Sequence, residues 1–123
     1  MSVIYESGEM YLETILQLKE QKGAIRSIDI VREMGFSKPS VSIGIRKLKE
    51  GNYVNVDPDG YITFTEKGEE VARKIYERHT ILSNILIHLG VDESTALEDA
   101  CKMEHIISDE TFEAIKNHFK ETL

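Results

Sequence analysis

Ser37-Lys38-Pro39-Ser40-Val41-Ser42-Ile43-Gly44-Ile45-Arg46-Lys47-Leu48-Lys49-Glu50 is the stretch whose reading decides the fold. Ser37 has the side chain of a helix N-cap. Pro39 falls in the first turn, where a missing N–H costs nothing. Gly51 stops the helix. Val41, Ile45 and Leu48 are spaced by four and three residues, which puts them on one core-facing side. Pro39, Ser40, Ile43, Arg46, Lys47 and Glu50 then point outward. That outer face is small and polar at its start and basic further along. A helix entering a DNA major groove needs small residues for close approach, and basic side chains and backbone N–H groups for phosphates. Ile43 is a large apolar residue on the same face, suited to thymine methyl groups.

The flanking sequence extends the pattern. Leu12, Ile15, Leu16 and Leu18 give an apolar side to a helix that starts near Ser7 and ends at Gly23. Ser27 is expected to cap a short second helix carrying Ile28, Val31 and Met34, and Gly35-Phe36 makes a tight turn into the third. Downstream, Tyr53-Val54-Asn55-Val56 and Tyr61-Ile62-Thr63-Phe64 flank Asp57-Pro58-Asp59-Gly60, which predicts a β-hairpin. Three helices and then a hairpin is the order of a winged helix-turn-helix. Thr65 can cap a long helix through Leu89, with Val71, Ile75, Leu82, Leu86 and Leu89 on one stripe and Gly90 at its end. Helices over about 93–106 and 109–121 follow, with Asp92 and Ser108 as caps. The expected fold is mainly α: a winged helix-turn-helix domain with a small hairpin wing over 1–65, then an all-helical region over 66–123. No Pro/Gly/Ser-rich linker divides them, so the long helix is expected to join them rigidly.

Charge distribution supports a nucleic-acid reading that the net charge of −7 hides. Residues 22–50 carry seven basic and three acidic groups, whereas residues 92–123 carry nine acids against three lysines. One stretch can meet phosphates and the other can attract a cation. Hydrophobic residues are 41% and charged residues 30% of the 123, a soluble globular composition. No apolar run has the length of a membrane span, and residues 1–8 lack the pattern of a signal peptide. The single cysteine, Cys101, excludes an intrachain disulfide and points to the reducing cytoplasm.

Cys101-Lys102-Met103-Glu104-His105 is the strongest chemical signal. On a helix Cys101, Glu104 and His105 fall at i, i+3 and i+4, so a thiol, a carboxylate and an imidazole share one face. Met10 and Glu13 are i and i+3 on the first helix, off its best apolar face, and His79 lies on the stripe of the long helix. Taken singly, each has a plainer reading. His79 alone is a hydrogen-bonded core histidine, Met10 a core filler, Glu13 a solvated acid and Cys101 a small buried hydrophobe.

Four blocks, in order, resemble one family. They are Glu-Met-Tyr-Leu at 9–12, Ser37 to Ser42, Arg78-His79, and Ala100 to His105. Together they resemble the diphtheria toxin repressor family of iron- and manganese-dependent regulators, over about Gly8 to Ser108. The resemblance implies metal(II) bound between the first helix and the dimerisation region, which orients two recognition helices for a palindromic operator. It implies one metal site from Met10, Cys101, Glu104 and His105, and a neighbouring site from Glu13, His79 and a shared Glu104. The chain departs from the family at several places. Ser83 stands where iron-type members have an acid, and Leu97 lies near where they have a second histidine. Manganese-type members usually have acids at the places of Met10 and Cys101. Many members also carry a small β-barrel domain, for which this chain is too short.

Thioether and thiolate are soft donors and Mn(II) prefers oxygen, so Fe(II) is the expected metal with Mn(II) the alternative; Co(II), Ni(II) and Zn(II) can bind in vitro. The residues expected at DNA are Arg26, Ser27, Ser37, Lys38, Pro39, Ser40, Ser42, Ile43, Arg46 and Lys47. The expected partners are double-stranded operator DNA and a second copy of the chain, with no membrane. A metal-independent winged-helix regulator and a protein-interaction winged helix compete with this reading. An enzyme does so less well, for there is no Gly-rich phosphate loop and no Ser/His/Asp pattern.

Overall fold

A computed structural model describes residues 6–120, the side chain of Glu6 excepted. The segment expected to lack a signal peptide lies mostly outside that range, as does the end of the last expected helix. The chain divides into two compact units, 1–73 and 74–123. The division falls inside the long helix, because Val71 and Ala72 pack into the first core.

The first unit holds α1 (Glu6–Lys22), α2 (Ser27–Met34), α3 (Lys38–Glu50), β1 (Val54–Val56), β2 (Ile62–Phe64) and the start of α4 (Glu66–His88). Leu12, Ile15 and Leu18 of α1 meet Ile30 of α2 and Val41, Ile45 and Leu48 of α3 in one core, closed by Val54 and Ile62 of the hairpin. The strands pair antiparallel in the register Val54↔Phe64, Asn55↔Thr63 and Val56↔Ile62. Tyr53 and Tyr61 lie just outside the ladder. Asp57 shapes the wing tip: its carboxylate accepts the N–H groups of Asp59 and Tyr61, both at 2.9 Å. Gly60 supplies the positive φ of 88° that this turn requires.

Caps form where side-chain oxygens sit at the right offset. Ser37 accepts the Ser40 N–H at 3.2 Å, and Thr65 accepts that of Gly68 at 3.0 Å. The second helix differs from expectation. Its N-cap is Arg26 and Ser27 is already helical. Asp29 does the capping, accepting the Arg26 N–H at 2.9 Å, because a carboxylate three residues on reaches back to that donor.

The second unit holds the rest of α4, α5 (Glu93–Ile106) and α6 (Asp109–Phe119). Asp92 and Ser108 are the caps of α5 and α6. Leu82, Ala100 and Phe112 form the core, with Ile81, Met103 and Ile107 against it. One expectation holds only in part here. The buried stripe of α4 runs through Ile75, Arg78, Leu82 and Ile85, while Leu89 is 63% exposed. Ala100 and Phe112 are core residues of this unit. Leu97 remains exposed, as do Ile87, Leu89 and Ile106. No helix among the described residues is long and apolar enough to cross a membrane.

Candidate metal centre and nucleic-acid interface

Cys101, Glu104 and His105 lie in the last two turns of α5. The helical spacing does what the sequence predicts: one ligand atom from each lies within 4.8 Å of the others. Donors held by one ion at about 2.0–2.3 Å must converge to roughly this closeness, so the set fits a divalent cation. Sulfur, oxygen and nitrogen together suit an ion of intermediate softness. Glu104 is fully buried, and His105 Nε2 lies 3.2 Å from Glu104 Oε1. A buried carboxylate needs compensating donors or positive charge. One partner comes from α4, where His79 Nδ1 lies 2.8 Å from Glu104 Oε2. The second unit thus brings together four of the six predicted ligands: His79, Cys101, Glu104 and His105. Met10 and Glu13 belong to the first unit, one turn apart on α1, half-buried and buried respectively. Glu13 is therefore not the solvated acid of its plainer reading.

Arg78 is a residue of this region to which the sequence reading assigned no role. It is 6% exposed, and its guanidinium donates to the carbonyls of Glu104 (3.1 Å) and Ile107 (2.8 Å) and to the Asp109 carboxylate. Lys74 also meets Asp109, at 2.8 Å, and is the main reason that carboxyl is held below its usual range, with Arg78 adding to it. A signal was present in the sequence. Arg78 stands three residues after Ile75 and four before Leu82, a core position of the stripe.

The residues expected at DNA lie in the first unit. Ser37, Lys38, Pro39, Ser40, Ser42, Ile43, Arg46 and Lys47 are all exposed, Ile43 by 46%. Arg46 is engaged only loosely by Glu50, at 4.0 Å between two exposed side chains. Ser27, Lys38 and Ser42 line a groove of about 410 Å³ between α2 and α3, with Ile28 and Val31 as its apolar floor. Arg26 is exposed and its guanidinium stacks 4.4 Å from the Tyr61 ring, so the wing braces it. Tyr11 ties α1 to the outward helix: its hydroxyl donates to the Ser40 carbonyl at 3.4 Å, and its ring meets Phe36 edge-on.

Residues 4–62 match the family model for the N-terminal DNA-binding domain of iron-dependent repressors. Residues 65–122 match that for the metal-binding and dimerisation domain of the same repressors. The chain is 41% identical over 113 residues to an uncharacterised HTH-type transcriptional regulator of Methanocaldococcus jannaschii, covering 90% of each. It is 34% identical over 106 residues to the transcriptional regulator MntR of Escherichia coli, covering 86% of this chain and 68% of that protein. Among solved structures, the manganese regulator SloR superposes with a TM-score of 0.80 at 27% identity over 97% of this chain. This chain spans about half, 55%, of SloR. These relatives are transcriptional regulators, not enzymes.

Proposed function

The chain belongs to the iron-dependent repressor family of metal-dependent transcriptional regulators, and on that premise we propose that it is a metal(II)-activated repressor binding a palindromic operator as a homodimer. The convergence of Cys101, Glu104 and His105 on one face of α5, with His79 against Glu104, carries this reading. Met10, Cys101, Glu104 and His105 are proposed as one ligand set, and Glu13, His79 and Glu104 as a second. A divalent cation held by these residues would supply positive charge beside the buried Glu104 carboxylate and would favour the thiolate form of Cys101. The residues of α5 share one helix face by their spacing, and Met10 and Glu13 of α1 are proposed as the remaining donors.

At DNA, the exposed start of α3 offers Ser40, Ser42 and Ile43 to base edges, with Lys38, Arg46 and Lys47 available to phosphates. Ser27 and Arg26 would add backbone contacts at the start of α2. A two-fold dimer matches half-sites about 34–36 Å apart. Exposed Ile87, Leu89, Leu97 and Ile106 give the second unit an apolar surface for such a contact. A DNA-bound regulator of this kind works in the cytoplasm.

Fe(II) is proposed as the physiological ion because Cys101 and Met10 are soft donors. Mn(II) is the second reading, favoured by the naming of SloR as a manganese regulator. The deciding experiment is operator affinity, held anaerobically, across Fe(II), Mn(II), Co(II), Ni(II), Zn(II) and chelator. Stronger activation by Fe(II) than by Mn(II) supports the first reading. Equal affinity with every ion and with chelator sinks metal sensing altogether.

A further inference from the structure

Glu104 is gripped at both ends by consecutive residues of α4. Arg78 donates to its carbonyl at 3.1 Å, and His79 meets its carboxylate at 2.8 Å. Neighbours on a helix point about 100° apart, so two of them reach one residue only where it lies in the cleft between their directions. Glu104 and Ile107 also sit where α5 runs out, since the helix ends at Ile106. Carbonyls of a last turn have no partner within their own helix. Here the guanidinium fork takes one of them, at Glu104, together with the carbonyl of the capping residue Ile107 just beyond, and a cation at a helix C-terminus is favoured by the helix dipole. The fork's other arm is anchored on Asp109, the first residue of α6, and its face lies 5.3 Å from the Phe112 ring. The turn of α5 that carries Glu104 and His105 is therefore held at its open end by Arg78, not by a further turn of helix.

We propose that Arg78 is a positioning residue for the cation site: it holds the last turn of α5 so that Glu104 and His105 present their donors together with Cys101. This rests on reading that cluster as a cation site. Arginine suits the task because its planar fork spans two carbonyls and a carboxylate at once, which the single ammonium of lysine cannot do.

The test uses the full chain with Co(II) as probe, comparing the natural protein with Arg78→Gln, Arg78→Lys and Asp109→Asn. Four quantities are read: Co(II) dissociation constant, visible Co(II) spectrum, helical content and metal-free melting temperature. Loss of a supporting contact around a metal site typically weakens binding about 10- to 100-fold. Arg78→Gln is expected to show a loss of that size and an altered spectrum at unchanged helical content. Arg78→Lys should recover part of the affinity, and Asp109→Asn, which loosens the far anchor and the Lys74 pair but leaves both carbonyl contacts, should lose least. A folded Arg78→Gln with natural affinity and spectrum overturns the proposal, whatever its melting temperature. If Arg78→Gln does not fold, Arg78→Lys decides in the same way, and natural affinity and spectrum there overturn it. A natural chain that gives no Co(II) spectrum at all overturns the cation reading itself, and this inference with it.

Discussion

Gly44 of α3 lies directly against the Tyr11 ring of α1, so close that a Cβ at position 44 would stand 2.5 Å from Tyr11 Cε2. Tyr11 is 7% exposed, its hydroxyl engages Ser40, and Phe36 lies against its ring, so it has little freedom to withdraw. Replacing a helical glycine by alanine ordinarily stabilises by about 1 kcal/mol. Gly44→Ala should reverse that sign, because overpacking costs about 1–3 kcal/mol. Urea denaturation checks it, and Tyr11→Leu should relieve the strain in the double variant. A stabilised Gly44→Ala would show that this contact constrains nothing.

Cys101→Ala and His105→Ala should each abolish metal-activated operator binding while leaving a folded protein. Each removes one donor from the α5 cluster without touching the core formed by Leu82, Ala100 and Phe112. Met10→Ala should act more mildly, because a thioether is a weak donor. Operator titrations with Fe(II) and with chelator measure both effects. Retained activation in Cys101→Ala would remove that thiol from the ligand set.

Arg46→Ala and Lys47→Ala should weaken DNA binding across all sequences. Each lost phosphate contact should also reduce the slope of log affinity against log salt by about 1. Changes at Ser40 or Ile43 should alter sequence preference instead. Binding measured at several salt concentrations separates the two classes. An unchanged slope in the charge variants would mean that α3 presents a different face.

Asp29 gives the first unit a specific acid sensitivity. The Arg26 N–H, and after it Lys22, hold its carboxyl below the usual value, so the folded state favours the ionised form. A carboxyl of lowered pKa stabilises fully above its unfolded value near about 3.9 and loses that contribution as pH falls through the folded value. Asp29→Asn should therefore be less stable than the natural protein at pH 7, with the gap narrowing as pH falls toward 3. Denaturation of both proteins at the two pH values tests this, and a gap as wide at pH 3 as at pH 7 would assign the effect to something other than charge.

Ile106 and Leu89 are 70% and 63% exposed. Ile106→Glu is expected to shift the proposed dimer to monomer at micromolar concentration in sedimentation, with helical content retained. A dimer undisturbed by Ile106→Glu and Leu89→Glu together would place the contact elsewhere.

What the sequence by itself determined is local. The caps at Ser37, Thr65, Asp92 and Ser108 and the turn at Asp57 to Gly60 depend on residues within about four positions of one another. So does the convergence of Cys101, Glu104 and His105, since i, i+3 and i+4 must share a helix face. The tertiary structure decided which face of each helix meets a core. The stripe of α4 settles on Ile75, Arg78, Leu82 and Ile85 and leaves Leu89 in solvent. An apolar pattern permits several neighbouring stripes, and only the partners α5 and α6 select one. The same selection buried Phe112, and it set a guanidinium and an imidazole from consecutive residues on the two ends of Glu104. No spacing within one segment encodes that pairing, because its partners stand more than twenty residues apart.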